Sequence, residues 1–305
     1  MNTGDQHIQG TVGQANGDID CEGDLRVDGN VLDGRVIRAR GSIHVGGVVQ
    51  AAQVTAGADL VAAGGILGRH KAHCIAEGNL TARYIARAFV KAGADIRIEG
   101  EIENSTVIAG GSILVPAGAI IGGQITAACS VSCRSVGVHH TRTYVEAGVD
   151  PAGEAEAVTA MARVAACRER AERIRTTVEP LLRLRKSLNA QQKERATELL
   201  FEANGMDAEI KQILDRLREN DQRLRLRAPP VIEVAEALHP GVRIRLLHLE
   251  ATVEVPIRGR VTISLVDSGK NGQIVVTVPG GNATELKTRP AESKGAQILR
   301  QLSAA

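Results

Sequence analysis

The 305-residue chain is predicted to be an all-β solenoid, a three-faced β-helix with a coil of about 18 residues, carrying an inserted antiparallel α-helical coiled-coil hairpin. Three observations carry this prediction. A polar corner residue recurs at Asp24, Ser42, Asp59, Asn79, Asp95, Ser112, Ser130 and Asp150, with spacings of 16 to 20 residues and a mean of 18.0. The chain has two Phe, two Tyr and no Trp, while 24 of its 33 Gly lie in residues 1–150, so its core must be thin and built from small aliphatics. After Asp150 the composition changes, and residues 151–228 hold 29 charged residues against 27 in the 150 before them.

Residues 1–16 read as an N-terminal lead-in and 17–150 as the β-helix. Five positions before the corner residues sit Ile19, Ile37, Val54, Cys74, Val90, Val107, Ile125 and Val145. Three before sit Cys21, Ala39, Ala56, Ala76, Ala92, Ala109, Ala127 and Ala147. Further apolar residues follow one and three positions after, as in Leu25 and Val27 or Ile96 and Ile98. The local period is two, the strand period, and the long period is one solenoid coil, whose inner face is buried only by stacking. A third inward column runs through Val31, Val49, Ile66, Ile85, Ile102, Ile120 and Val136, which makes three faces. At ~4.8 Å per coil the rod is roughly 35 Å long. Gly23, Gly41, Gly78 and Gly111 precede corner residues and are expected to supply φ > 0, with the following Asp, Asn or Ser bonding the local backbone.

Residues 151–228 carry the coiled-coil pattern. One seam runs through Ala157, Ala160, Val164, Cys167, Ala171, Ile174, Val178 and Leu181 to Arg185 and Leu188. The other runs through Ala196, Leu199, Ala203, Met206, Ile210, Ile213, Leu217, Asn220 and Leu224. Asn189 with Gln192 reads as an N-cap and capping box, so helices are expected over 153–187 and 190–225. Pro180 should kink or divide the first, Cys167 should be a buried filler, and Asn220 reads either as a residue that sets register or partner or, the favoured reading, as an imperfection in an end turn of the seam. Residues 229–267 restore strand alternation and should continue or cap the β-helix, with His239-Pro240-Gly241 as a corner. Residues 268–305 read as a short strand and a loose C-terminal tail, with a short helix near 296–302.

A formal charge of +2 argues against a strongly basic nucleic-acid binder and an acidic tail protein. No signal peptide and no 18-residue apolar stretch is present, so a cytoplasmic protein without a transmembrane segment is expected. The five Cys form no secreted disulfide pattern, and Cys129 with Cys133 is only half a metal site. His70, His73, His139 and His140 fall in the two longest coils, which reads more readily as loop bulges than as a ligand site. Gly64-Gly65-Ile66-Leu67-Gly68 lacks the strand–turn–helix context of a dinucleotide fingerprint. No catalytic, cofactor-binding or metal residue is assigned.

A set of motifs in order resembles the flagellar assembly protein A family. They are Gly17-Asp18-Ile19-Asp20, Gly29-Asn30-Val31-Leu32-Asp33-Gly34, Gly64-Gly65-Ile66-Leu67-Gly68, Ile121-Gly122-Gly123 and Gly148-Val149-Asp150-Pro151, then His239-Pro240-Gly241-Val242 after the helices. The resemblance spans roughly residues 15–250 and implies a right-handed β-helix with a coiled-coil hairpin in a cytoplasmic bacterial protein. It also implies a link to flagellar assembly or polar organisation, and it brings no catalytic residues. Family members often carry an N-terminal domain ahead of the solenoid, where this chain has about 16 residues. The solenoid part is also similar to the bactofilins, whose β-helices join end to end.

The expected function is therefore a non-enzymatic scaffold in flagellar assembly or polar and cell-envelope organisation. It would act through solenoid self-association and hairpin contacts with a protein partner, with the tip near Lys186 to Gln191 as the contact point. The alternative is a β-helix enzyme. A hexapeptide-type acyltransferase is disfavoured by the missing sixfold repeat, and a polysaccharide-modifying enzyme would use an acidic face such as Asp95, Glu99, Glu101 and Glu103.

Overall fold

The computed structural model describes residues 4–138, 141–183, 189–227, 229–266, 272–281 and 283–304. The chain forms two compact units, Met1–Asp150 with Arg227–Ala291 and Pro151–Leu226 with Glu292–Ala305.

The first unit is a solenoid of parallel strands stacked in register on three faces. On the first face Ile19–Cys21, Val36–Ala39 and Gln53–Ala56 are followed by the closing halves of Gly65–Ala76, Ile85–Ala92, Ile102–Ala109 and Ile113–Ala127, then by Thr143–Ala147 and Arg243–Leu246. The second face stacks Gln6–Ile8, Leu25–Val27, Ile43–Val45, Leu60–Ala62, Leu80–Ala82 and Ile96–Ile98, then the openings of Ile113–Ala127, Val131–Val136 and Ile232–Leu238. The third begins as bridges at Val12, Val31 and Val49 and continues through Ile66, Ile85, Ile102, Ile120, Val136 and Leu238. The alternating pattern places the inward side chains in one column of core, and Leu25, Ile43, Leu60, Leu80, Ile96 and Ile113 are all buried. Each such side chain contributes roughly 1.5–3 kcal/mol by leaving water. The alanine column from Ala39 to Ala147 is buried along its whole length, which leaves no room for an aromatic.

The solenoid starts earlier than the sequence pattern indicates. Gln6–Ile8 pairs in parallel with Leu25–Val27, and Asp5 Oδ1 accepts from the Asp24 amide at 2.9 Å, so a coil forms inside the supposed lead-in. Gln6 stands where the next coils have Leu25 and Ile43, and a polar residue at that place hides the repeat.

The corner residues also act differently from expectation. Their side chains bond the amide of the corner residue one coil on: Asp24 Oδ1 accepts from Ser42 at 2.6 Å, Asp59 Oδ1 from Asn79 at 2.7 Å, Asn79 Oδ1 from Asp95 at 3.2 Å and Asp95 Oδ1 from Ser112 at 2.7 Å. The preceding glycines are not in the left-handed region. A Cβ at Gly41 would lie 2.1 Å from Asp24 Oδ1, and one at Gly111 would lie 2.1 Å from Asp95 Oδ1. Glycine is required there by the close approach of the neighbouring carboxylate.

Ile232–Leu238 and Arg243–Leu246 complete a coil in parallel register on Val131–Val136 and Thr143–Ala147. The direction then reverses. Leu249–Thr252 runs antiparallel on Arg243–Leu246, while Ile257–Arg258 and Val261–Val266 run antiparallel on Ile232–Leu238. All three faces are thus covered at this end, and Gln273–Thr277 and Thr288–Pro290 extend the cover. The tail expected to be loose forms these strands among the described residues, and the short helix expected near 296–302 is present as Lys294–Ala304.

The second unit holds α1 (Pro151–Arg183), α2 (Ala190–Arg227) and α3 (Lys294–Ala304). Helix α1 is not divided at Pro180 and continues to Arg183. Arg185 and Leu188 lie outside the described residues. One residue per heptad is buried, namely Ala157, Val164, Ala171 and Val178 on α1 and Ala196, Ala203, Ile210 and Leu217 on α2. Cys167 is half-buried, and Asn220 is exposed.

Candidate interaction surfaces

Helix α2 opens with the capping box read from the sequence. Gln192 N donates to Asn189 Oδ1 at 2.8 Å, and Asn189 N donates to Gln192 Oε1 at 3.0 Å. Ala190 and Gln191 next to it are exposed, whereas Lys186 and the rest of the expected contact point lie outside the described residues. The two long helices are held antiparallel by ion pairs between Glu156 and Arg216 (2.9 Å), Arg163 and Glu209 (Nε–Oε1 2.6 Å), and Arg170 and Glu202. Each step of seven residues up α1 matches seven down α2, so this ladder defines one register. Arg175 and Asp207 pair on the other side of the seam. At the base, Ser293 Oγ donates to Glu154 Oε2 at 2.7 Å, and Gly295 lies so close to Glu154 that a Cβ would come within 2.5 Å of its side chain. Glycine thereby lets α3 lie tightly on α1.

In the solenoid, the long strand Gly65–Ala76 bulges at one corner, where four residues, Gly68 to Lys71, stand opposite the single Arg87 of the next coil. His70 and His73 are exposed there, and the His73 ring lies 5.3 Å from that of Phe89. Cys74 points into the core, and burial pushes its thiol up to about 12. His139 and His140 lie outside the described residues. Cys133 is also inward, its thiol likewise pushed up to about 12 by burial, while Cys129 occupies a corner, so the two do not converge. The acidic row separates too. Asp95 is committed to the Ser112 amide at one corner of the second face, Glu99 and Glu101 follow the far end of that face, and Glu103 belongs to the third.

One shallow cleft escaped the sequence reading. It measures about 420 Å³ and lies on the outside of the first coils between Asp5, Gln6, His7, Asp24, Arg26, Ser42 and His44. His7 Nε2 meets Asp28 at 2.8 Å, and this hydrogen bond, helped by Arg26 and opposed by desolvation, holds the Asp28 carboxyl below its usual value. Asp5 and Asp24 face the cleft, yet each spends a carboxylate oxygen on a backbone amide of the next coil. Nothing in the one-dimensional pattern places His7 and His44 on either side of Arg26 until the coil register is known.

The residues of the recurrent motifs are the ones that let coils stack and chains cross. Asn30 Oδ1 accepts from Val48 at 2.7 Å and Asp33 Oδ1 from Ala51 at 3.3 Å. Gly122 and Gly123 have φ of 71° and 85°, and a Cβ on Gly123 would strike the Ser105 carbonyl. At Gly148 the chain leaves for the helices beside Pro230, where it returns; a Cβ there would be 2.7 Å from Pro230. A model of the Flagellar Assembly Protein A beta solenoid domain matches residues 6–274, beginning in the coil that opens at Gln6. The chain belongs to the flagellar assembly protein A β-solenoid family. No curated protein and no solved structure matches it. The family's motifs therefore mark stacking and crossing points of the fold. Among the described residues no three His, Cys, Asp or Glu side chains come together as a metal set, and no helix is long and apolar enough to cross a membrane.

Proposed function

We propose that this member of the flagellar assembly protein A family is a non-enzymatic scaffold that works in flagellar assembly or polar organisation and engages a protein partner through its helical hairpin. The observation that carries the reading is the insertion itself. Helices of 33 and 38 residues are inserted in the chain between Gly148 and Pro230, where the leaving and returning segments touch at one solenoid corner. Such a corner needs only a few residues to turn, so the hairpin is not required to close the coil. A charged, register-locked hairpin is a means of binding a partner. Self-association through the solenoid is disfavoured at its C-terminal end, which antiparallel strands cover.

The test is affinity capture from a flagellated bacterium with the full chain and a variant in which 151–227 are replaced by a short Gly-Ser link. We expect a flagellar or polar protein on the full chain and its loss on the variant. Equal recovery on both would reject the hairpin as the contact. Turnover of acyl donors or glycans by the full chain would reject the scaffold reading.

A further inference from the structure

The rod portion of the sequence is slightly acidic, with 12 basic and 15 acidic residues in 1–150, yet its basic charge is not evenly spread. Residues 60–94 contain Arg69, Lys71, Arg83, Arg87 and Lys91 against the single acid Glu77, with His70 and His73 in addition. The coil register gathers most of these. The bulge from Gly68 to Lys71 lies opposite Arg87, and His73 and Lys91 sit on the face that leads away from the same corner. Arg69, His70, Lys71, His73, Arg87 and Lys91 are all exposed. Arg69, His70 and Arg87 reach this arrangement with φ of 47°, 64° and 50°, in the left-handed region that non-glycine residues seldom occupy. The nearby acids are Asp33, which takes Arg69 at 2.8 Å, and Glu103 on the next coil. Lys71, Arg87 and Lys91 make no ion pair among the described residues.

We propose that this corner is a docking site for an acidic peptide segment of a partner protein, with Arg69, Lys71 and Arg87 meeting its carboxylates. The Asp33–Arg69 pair shows the mode of contact, since a carboxylate from two coils away already docks on this corner. The size of the patch selects a peptide. Two adjacent coils span only about 5 Å along the rod. Nucleic acid would need a longer row of cations to neutralise several phosphates, and a membrane surface would need a broader basic face. Alternate side chains on an extended peptide lie ~7 Å apart, which matches a cluster of this breadth. The site lies on the solenoid and stands whether or not the hairpin binds a partner.

The probe is a fluorescein-labelled peptide of about a dozen alternating Glu and Gly residues, with a Gln-Gly peptide as control, followed by anisotropy on the full chain. We expect binding of the Glu peptide only, weakening several-fold as salt rises from ~50 to ~200 mM. K71Q/R87N should weaken it about tenfold, the sum of two exposed ion pairs. Asn tolerates the left-handed φ at 87, so the backbone is kept. R97Q/K287Q removes two exposed charges elsewhere and should leave binding unchanged. If K71Q/R87N does not fold by circular dichroism, K71Q alone gives the reading, with a smaller loss. No binding of the Glu peptide, equal loss in the control variant, or tighter binding of oligothymidine or phosphatidylserine vesicles would each overturn the proposal.

Discussion

At the residue scale, the corner glycines separate two reasons for glycine that a sequence cannot tell apart. Gly41 has an ordinary φ, and its hydrogen faces Asp24 of the preceding coil. Gly41→Ala should destabilise by about 2 kcal/mol through overpacking, measured by urea unfolding. Adding Asp24→Ala should return part of that loss, although the Gly23 backbone at 2.9 Å still crowds the new methyl. No recovery in the double variant would show that the carboxylate contact is not the cause. The cysteines give a second check. Cys21, Cys74 and Cys133 are buried, and two of these thiols are pushed to about 12, while Cys129 and Cys167 are partly exposed. A thiol reagent at neutral pH should label only the last two in the folded protein and all five in denaturant. Fast labelling of Cys74 would contradict the inward register.

At the element scale, the helical hairpin was legible because heptads and a capping box are local signals. What the heptads did not disclose was which seam position is most deeply buried, or that its polar flank would set the register. Glu156, Arg163 and Arg170 find Arg216, Glu209 and Glu202 only once the two helices lie antiparallel. These pairs are exposed, so each is expected to contribute only about 0.5 kcal/mol. Their value lies in excluding a shifted register, which would oppose like charges. Arg163→Glu should lower hairpin stability by about 1 kcal/mol through the lost pair and the new repulsion with Glu209. Glu209→Arg in the same chain should restore it. A double-mutant cycle with no coupling would show that the ladder does not select the register.

At the scale of the whole molecule, the solenoid was readable because each coil repeats the same inward columns, and the repeat failed where the columns changed character. Gln6 hid the first coil. The antiparallel cap was hidden because Leu249–Thr252 and Val261–Val266 alternate like any strand and carry no local mark of direction. The patch at Arg69 and Arg87 was hidden for a related reason, since its members are 18 residues apart in sequence and neighbours only after stacking. The same stacking argues that the two units are separable in stability. The final coil is held by Ile232–Leu238 on Val131–Val136 and by Arg243–Leu246 on Thr143–Ala147, and its core residues Ile232, Val234 and Ile244 belong to the solenoid alone. Replacing 151–227 with a short link, and ending the chain after Ala291 so that α3 is not left without α1, should therefore leave a folded solenoid. Its far-ultraviolet spectrum should lose the helical component and keep the strand component. Its unfolding free energy extrapolated to water should stay within about 10–15% of that of the solenoid transition in the full chain, the uncertainty of the extrapolation. A shortened chain that unfolds or aggregates would mean that the helices hold the last coil in place, and the hairpin would then be a structural brace before it is a binding element.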